Sequence, residues 1–132
     1  MKKAVLIFAK NLIYGQVKTR LAATIGNENA LAVYHHLLRY TASITNNLPV
    51  EKIVFYSNSI VDKDTWSNEV YKKQIQLGND LGERMKNAFA YAFTEGYEEV
   101  VIIGTDCLEL TRETILNAFA KLKINDIVIG PA

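Results

Sequence analysis

The stretch Val100-Val101-Ile102-Ile103-Gly104-Thr105-Asp106-Cys107 decides the fold of this chain. Its four consecutive β-branched residues do not alternate with polar ones, which predicts a strand buried on both faces, as in a parallel α/β sheet. Gly104 ends the run, and Thr105 and Asp106 follow where the strand leaves the sheet. Ligands of open α/β sheets bind beyond the carboxyl ends of the strands, so Asp106 lies where a functional site is expected. A carboxylate there can hold a divalent cation, but a simple polar turn would have the same sequence.

Apolar and amphipathic segments alternate along the rest of the chain. Further strands are predicted at 4–9, 53–57, 70–77 and 126–130, and the polar content of 70–77 indicates an edge strand. Helices are predicted to begin near Asn27, at Asp80, which has the pattern of an N-cap, and at Thr111, whereas 62–68 is polar and ambiguous. The predicted buried faces of the three helices are Leu31, Tyr34, Leu38, Thr41 and Ile44; Leu81, Met85, Ala88, Phe89, Ala92 and Phe93; and Ile115, Leu116, Phe119 and Leu122.

The order β-α-β-β-α-β-α-β predicts a Rossmann-like three-layer α/β/α fold with a mostly parallel sheet. Right-handed crossovers would bring the loop 10–24, Ser57, the segment 78–80 and Asp106 to one edge of that sheet. The length of 132 residues suits one domain, 1–132.

Composition and charge exclude several classes of protein. The net charge of +1 argues against a nucleic-acid binder, which needs many Lys and Arg contacts to phosphate. The single cysteine excludes an internal disulfide, which is consistent with a reducing cytoplasm, and we expect a cytoplasmic protein. No stretch approaches the roughly 20 apolar residues of a membrane span.

The loop after the first strand is the second candidate site. It carries Lys10, Lys18 and Arg20 around Gly15 and matches neither a Walker A loop nor a GxGxxG turn. Three cations near a strand end can hold a diphosphate, and a solvated surface loop is the alternative. The amides of Gly82, with its neighbour at the start of the predicted helix, are a further anion-binding candidate.

Four motifs together resemble one family along the whole chain. They resemble the DUF2064 family, also called selenodomain-associated transferase 1, which is similar to the nucleotide-diphospho-sugar transferase (GT-A) superfamily. The motifs are Phe8-Ala9-Lys10 with Gly15 and Val17-Lys18-Thr19-Arg20-Leu21; Gln76-Leu77-Gly78-Asn79-Asp80-Leu81-Gly82-Glu83-Arg84-Met85; Gly104-Thr105-Asp106-Cys107; and Gly130-Pro131-Ala132.

The resemblance implies a nucleotide-sugar site at the carboxyl edge of the sheet. It assigns the nucleotide and diphosphate to Lys10, Gly15, Lys18 and Arg20, and we add Gly82 and Thr105 to these binding residues. It assigns Asp106 to a Mg²⁺ or Mn²⁺ ion that would neutralise charge on the leaving nucleoside diphosphate. The chain departs from the family pattern at Leu12, Tyr14, Leu108 and Glu109, which replace three prolines and an aspartate.

The implied function is that of a glycosyltransferase-like domain that binds a nucleoside diphosphate-sugar and a divalent metal. A nucleotidyltransferase of the same superfamily is the alternative enzyme, and a non-catalytic binding or dimerisation module is the alternative class. Family members continue beyond Gly130-Pro131-Ala132, so we expect this chain to be the N-terminal part of a longer domain, with its activity open. An uncovered last strand at 127–129 would favour self-association, most simply as a homodimer.

Overall fold

A computed structural model of the chain describes residues 2–11, 23–105 and 110–122. The predicted last strand, 126–130, lies outside the described residues, as does most of the loop 10–24. The elements are β1 (Lys3–Ala9), α1 (Asn27–Thr45), β2 (Glu51–Tyr56), β3 (Tyr71–Ile75), α2 (Leu81–Thr94), β4 (Glu99–Gly104) and α3 (Arg112–Leu122).

The four strands form one sheet in the order β3-β2-β1-β4, and every neighbouring pair is parallel. In the register, Ala4 of β1 lies beside Glu51 of β2 on one side and Val100 of β4 on the other. β3 is an edge strand, as its polar sequence predicts. The parallel α/β sheet expected from the sequence is therefore confirmed for the described strands.

Two apolar clusters cover the two faces of the sheet. Val5 and Ile7 of β1 point into a cluster with α1 and α3, whereas Ala4 and Leu6 point into a second cluster with α2. Successive side chains of a strand point to opposite faces, so a strand buried on both sides must be apolar throughout, as β1 is. The arrangement is a three-layer α/β/α fold, as predicted.

β4 is less buried than its sequence predicts. Val100 and Ile103 are buried, but Val101 and Ile102 are only partly covered. β4 is the outermost of the described strands next to β1, so it has a described neighbour on one side only. The β-branched run predicted a strand, but the fully buried position belongs to β1.

The buried face of α2 also differs from the prediction. Ala88 and Ala92 are buried, whereas Leu81 and Phe93 are 63% and 54% exposed. Two alanines let the helix approach the sheet closely, so the large side chains at its flanks remain beside the contact rather than inside it. Phe93 instead stacks on Phe89, with ring centroids 6.2 Å apart.

The other helices follow their predicted faces more closely. In α1, Tyr34, Leu38 and Thr41 are buried, and Leu31 and Ile44 are partly buried. In α3, Ile115 and Phe119 are buried. Thr111 caps α3, since its hydroxyl accepts the Thr114 amide at 3.1 Å. None of the helices in the described ranges has the length and apolar character needed to cross a membrane.

Alkaline pH is expected to destabilise this fold through its buried tyrosines. Burial raises the pKa of Tyr56 above its usual value, and a hydrogen bond to Asp64 raises it further; burial also raises the pKa of Tyr71. The folded state holds these protons more tightly than the unfolded state, so their stabilisation is complete below about pH 10 and decreases as the pH rises further. We expect the free energy of unfolding, measured by urea denaturation, to fall less steeply above about pH 10 in Tyr56→Phe than in the wild type. Equal slopes would contradict this assignment.

Candidate functional site

The sheet order places a crevice between the carboxyl ends of β1 and β4. From β1 the chain goes through α1 to β2 on one side, while β4 lies on the other side. In open α/β sheets, ligands bind at such a point, where the strand order reverses. Lys10 follows β1 and Thr105 follows β4, so the two residues flank this crevice.

A single hydroxyl joins the two sides of the crevice. The backbone N–H of Lys10 donates to Tyr34 Oη at 2.6 Å, and Tyr34 Oη lies 2.7 Å from Thr105 Oγ1. Tyr34 is 3% exposed and Thr105 is 4% exposed, whereas the Lys10 side chain is exposed. The structure thus brings together two of the predicted binding residues, with the amine of one exposed and the hydroxyl of the other fixed.

Asn11 fastens the end of β1 to the segment that follows β2. Its Oδ1 accepts the backbone N–H groups of Asn58 at 2.8 Å and Ser59 at 3.1 Å, and its Nδ2 donates to the Ser59 carbonyl at 2.8 Å. Its own backbone N–H donates to Ser57 Oγ at 3.0 Å. The side chain is buried, so these bonds replace water that the amide group would otherwise need. The start of the basic loop is therefore anchored on both sides of β1.

The segment between β3 and α2 is attached to the same edge. Gln76 donates its Nε2–H to the Phe55 carbonyl at 2.8 Å and its backbone N–H to the Tyr56 carbonyl at 2.9 Å. Arg84 reaches back from α2, donating from Nη1 to Gln76 Oε1 at 3.2 Å and from Nε to the Gly78 carbonyl at 3.1 Å. The Gln76–Met85 motif thus serves to dock the start of α2 against β2.

Gly82 lies in the exposed first turn of α2, whose N-terminus already has a carboxylate. Asp80 Oδ1 accepts the Glu83 N–H at 2.8 Å, which confirms the predicted N-cap. An anion approaching this helix end would meet the negative charge of Asp80. The predicted cap fully explains the sequence at this position, and Gly82 stays an untested member of the site.

The remaining predicted site residues, Gly15, Lys18, Arg20 and the metal candidate Asp106, lie outside the described residues. Within residues 2–11, 23–105 and 110–122, no group of three or more His, Cys, Asp or Glu side chains comes together that could hold a metal ion. A metal site here therefore depends on Asp106.

Two residues of this edge were missed by the sequence analysis. Tyr34 was predicted as one of several buried positions of a helix, and Asn11 was not singled out. An asparagine directly after a strand, followed at the next strand end by Ser57-Asn58-Ser59, is the one local signal that could have indicated Asn11. For the hydroxyl of Tyr34, no local signal exists.

The fold with this crevice is that of the nucleotide-diphospho-sugar transferases. A crystal structure from Desulfovibrio desulfuricans G20, provisionally assigned as a nucleotide-diphospho-sugar transferase, matches with a TM-score of 0.84 and 31% sequence identity. The match covers 93% of this chain and 55% of that protein, so the chain spans little more than half of its structural neighbour.

The chain belongs to the DUF2064 family, described as an uncharacterized protein conserved in bacteria, which its residues 40–132 match. Among curated proteins, none is significantly similar in sequence.

Proposed function

We propose that this chain is the nucleotide-binding part of a glycosyltransferase-like protein, and that it takes up a nucleoside diphosphate-sugar in the crevice between β1 and β4. The observation that carries the proposal is the pair of hydrogen bonds from Tyr34, which hold Lys10 and Thr105 on opposite sides of that crevice. The similarity to the provisionally assigned transferase supports the same ligand class.

The basic residues supply the recognition of a diphosphate in this proposal. The amine of Lys10 is exposed at the crevice, and Lys18 and Arg20 follow in the same loop. A guanidinium group binds phosphate oxygens through two parallel hydrogen bonds, and an ammonium group binds them as a point charge. Arg20 is therefore the residue from which we expect the largest share of the phosphate affinity.

A divalent metal fits the proposal through Asp106. This carboxylate follows Thr105 directly, and hard oxygen ligands of this kind suit Mg²⁺ and Mn²⁺. Mg²⁺ is commonly held by one or two carboxylates together with substrate phosphates and water, so a single aspartate is a sufficient protein contribution. When bound, the ion would supply charge neutralisation at the diphosphate.

Thermal unfolding with and without nucleotides tests the proposed function. We expect one of UDP-glucose, GDP-mannose or ADP-glucose, with Mn²⁺, to raise the melting temperature, because a ligand at 100 times its Kd stabilises the folded state by about 2.7 kcal/mol. Arg20→Ala should weaken binding by about tenfold or more, the loss expected for a charge-assisted hydrogen bond. Arg39→Ala, an exposed position in the middle of α1, is the matched control and should bind like the wild type.

Three outcomes would contradict the proposal. A folded wild type that responds to none of these nucleotides would exclude it. Equal binding by Arg20→Ala and Arg39→Ala would exclude the basic loop as the diphosphate site. Release of pyrophosphate from a nucleoside triphosphate in the presence of a phosphorylated acceptor would favour a nucleotidyltransferase instead.

A further inference from the structure

The hydroxyl of Tyr34 occupies an unusual position for a core side chain. Its ring lies in the apolar cluster between the sheet and α1, together with Leu37 and Leu38 of the same helix. Its hydroxyl emerges from that cluster at the carboxyl edge, where it meets the Lys10 amide and the Thr105 hydroxyl. Because the ring is packed on all sides, the position of Oη is fixed by the core and not by the loops that it contacts.

Both partners of this hydroxyl are the first residues after their strands. Lys10 begins the basic loop, and Thr105 immediately precedes Asp106. They are 95 positions apart in the chain, and α1 supplies the group that connects them. A displacement of Tyr34 Oη would therefore change the starting point of both loops at once.

We infer that Tyr34 is a positioning residue of the nucleotide site, which fixes the separation between the diphosphate-binding loop and the Thr105-Asp106 turn. The inference rests on the proposed function. Removing the hydroxyl leaves the Lys10 N–H and the Thr105 hydroxyl without this shared partner in a largely buried place, and such groups recover hydrogen bonds only by moving toward water or toward other partners. The two loops then lose their common reference, and ligand groups held by both of them bind less tightly.

Tyr71 provides a matched control for the loss of a buried tyrosine hydroxyl. It is 4% exposed and also belongs to the cluster against α1, and its Oη lies 2.7 Å from Thr45 Oγ1 and 3.1 Å from the Ala42 carbonyl oxygen. Tyr71 pairs with Lys52 at the amino ends of β3 and β2, which is the opposite edge of the sheet. Tyr34→Phe and Tyr71→Phe therefore remove comparable groups, one at the proposed site and one far from it.

The experiment compares these two variants in nucleotide binding and in backbone amide exchange. The binding probe is whichever of UDP-glucose, GDP-mannose and ADP-glucose stabilises the wild type with Mn²⁺, titrated by calorimetry. We expect Tyr34→Phe to raise Kd by about tenfold and Tyr71→Phe to leave it unchanged, while both lower the melting temperature by similar amounts. The Lys10 amide, followed by NMR, should exchange with solvent about tenfold faster in Tyr34→Phe and at the wild-type rate in Tyr71→Phe.

The double variant Tyr34→Phe/Thr105→Val adds a test of the shared hydrogen bond. If the two residues act through that bond, the double variant should bind no more weakly than the weaker single variant. Multiplied losses would overturn the inference, as would equal Kd values in Tyr34→Phe and Tyr71→Phe. If the wild type binds none of the nucleotides, the proposed function fails by itself, and the Lys10 amide still decides whether Tyr34 positions the loop: unchanged exchange in Tyr34→Phe overturns that role.

Discussion

Replacement of Gly78 by alanine is expected to lower the free energy of unfolding by about 2–4 kcal/mol, through backbone strain and steric overlap together. Gly78 has φ +144°, a conformation that residues with a side chain rarely adopt. A Cβ atom there would lie 2.8 Å from the Arg84 backbone nitrogen and 3.0 Å from Glu83 Cγ. The first contact is with helix backbone, so relief requires moving the first turn of α2.

Gly26→Ala separates the two causes of this effect. Gly26 also has a positive φ, of +90°, but no atom lies within 4 Å of the Cβ position. Its substitution should cost about 1 kcal/mol, the conformational penalty alone. Urea denaturation of both variants measures the difference, and equal losses would show that the approach of Gly78 to Arg84 has no energetic consequence.

The Gly78 contact also explains why a glycine lies inside the Gln76–Met85 motif. Arg84 donates to the carbonyl of Gly78 and to Gln76, and Gln76 is bonded to the end of β2. The close approach lets one arginine connect the turn, the edge strand and the helix. In this protein, the first role of the motif is to set the position of α2 relative to the carboxyl edge.

Local patterns in the sequence predicted the elements and their ends. The uniform apolar runs predicted β1 and β4, and Asp80 and Thr111 predicted two helix starts that their hydrogen bonds confirm. These signals are local because a helix cap or a buried strand depends on residues within a few positions of each other. The fold class then followed from the order of the elements.

Burial within those elements could not be predicted in the same way. The runs 4–9 and 100–103 look equally apolar, but β1 lies between two strands and β4 has one described neighbour. Likewise, Leu81 and Phe93 occur at helical spacing with the buried Ala88, yet they are exposed. Which strand is central, and how closely a helix approaches a sheet, are set by the assembled topology and not by hydrophobic periodicity.

The candidate site was predicted in its location but not in its connections. Lys10 and Thr105 were expected at one edge of the sheet, and they meet there. Tyr34 lies 24 positions from Lys10 and 71 from Thr105, and Asn11 lies 46 to 48 positions from its partners. Hydrogen bonds across such separations leave no periodic trace in the sequence. The residues that organise the site are therefore the ones that sequence reasoning missed.

The connection between β2 and β3 was ambiguous in sequence for a related reason, since it contains no helix and yet contributes to the core. Trp66, in its middle, is 1% exposed and packs edge-on against Tyr71, with ring centroids 5.2 Å apart at 75°. Asp64 holds the turn: it accepts the Trp66 N–H at 3.0 Å, the Tyr56 hydroxyl at 2.6 Å and the Lys73 ammonium at 3.1 Å. A polar segment thus positions one large aromatic side chain under α1.

Trp66→Ala is expected to lower the free energy of unfolding by about 3–5 kcal/mol, the cost of truncating a large buried aromatic residue. Because folded domains are stable by only about 5–15 kcal/mol, this loss would leave the variant close to unfolding. Phe93→Ala, an aromatic truncation at a position that is 54% exposed, is the matched control and should cost about 1 kcal/mol or less. Urea denaturation followed by circular dichroism measures both. Trp66 is the one tryptophan of the chain, so its fluorescence in the wild type and in Phe93→Ala reports directly on this connection. If the segment merely lay over a core complete without it, the two truncations would cost the same, and the tryptophan signal would change at lower urea than the circular dichroism.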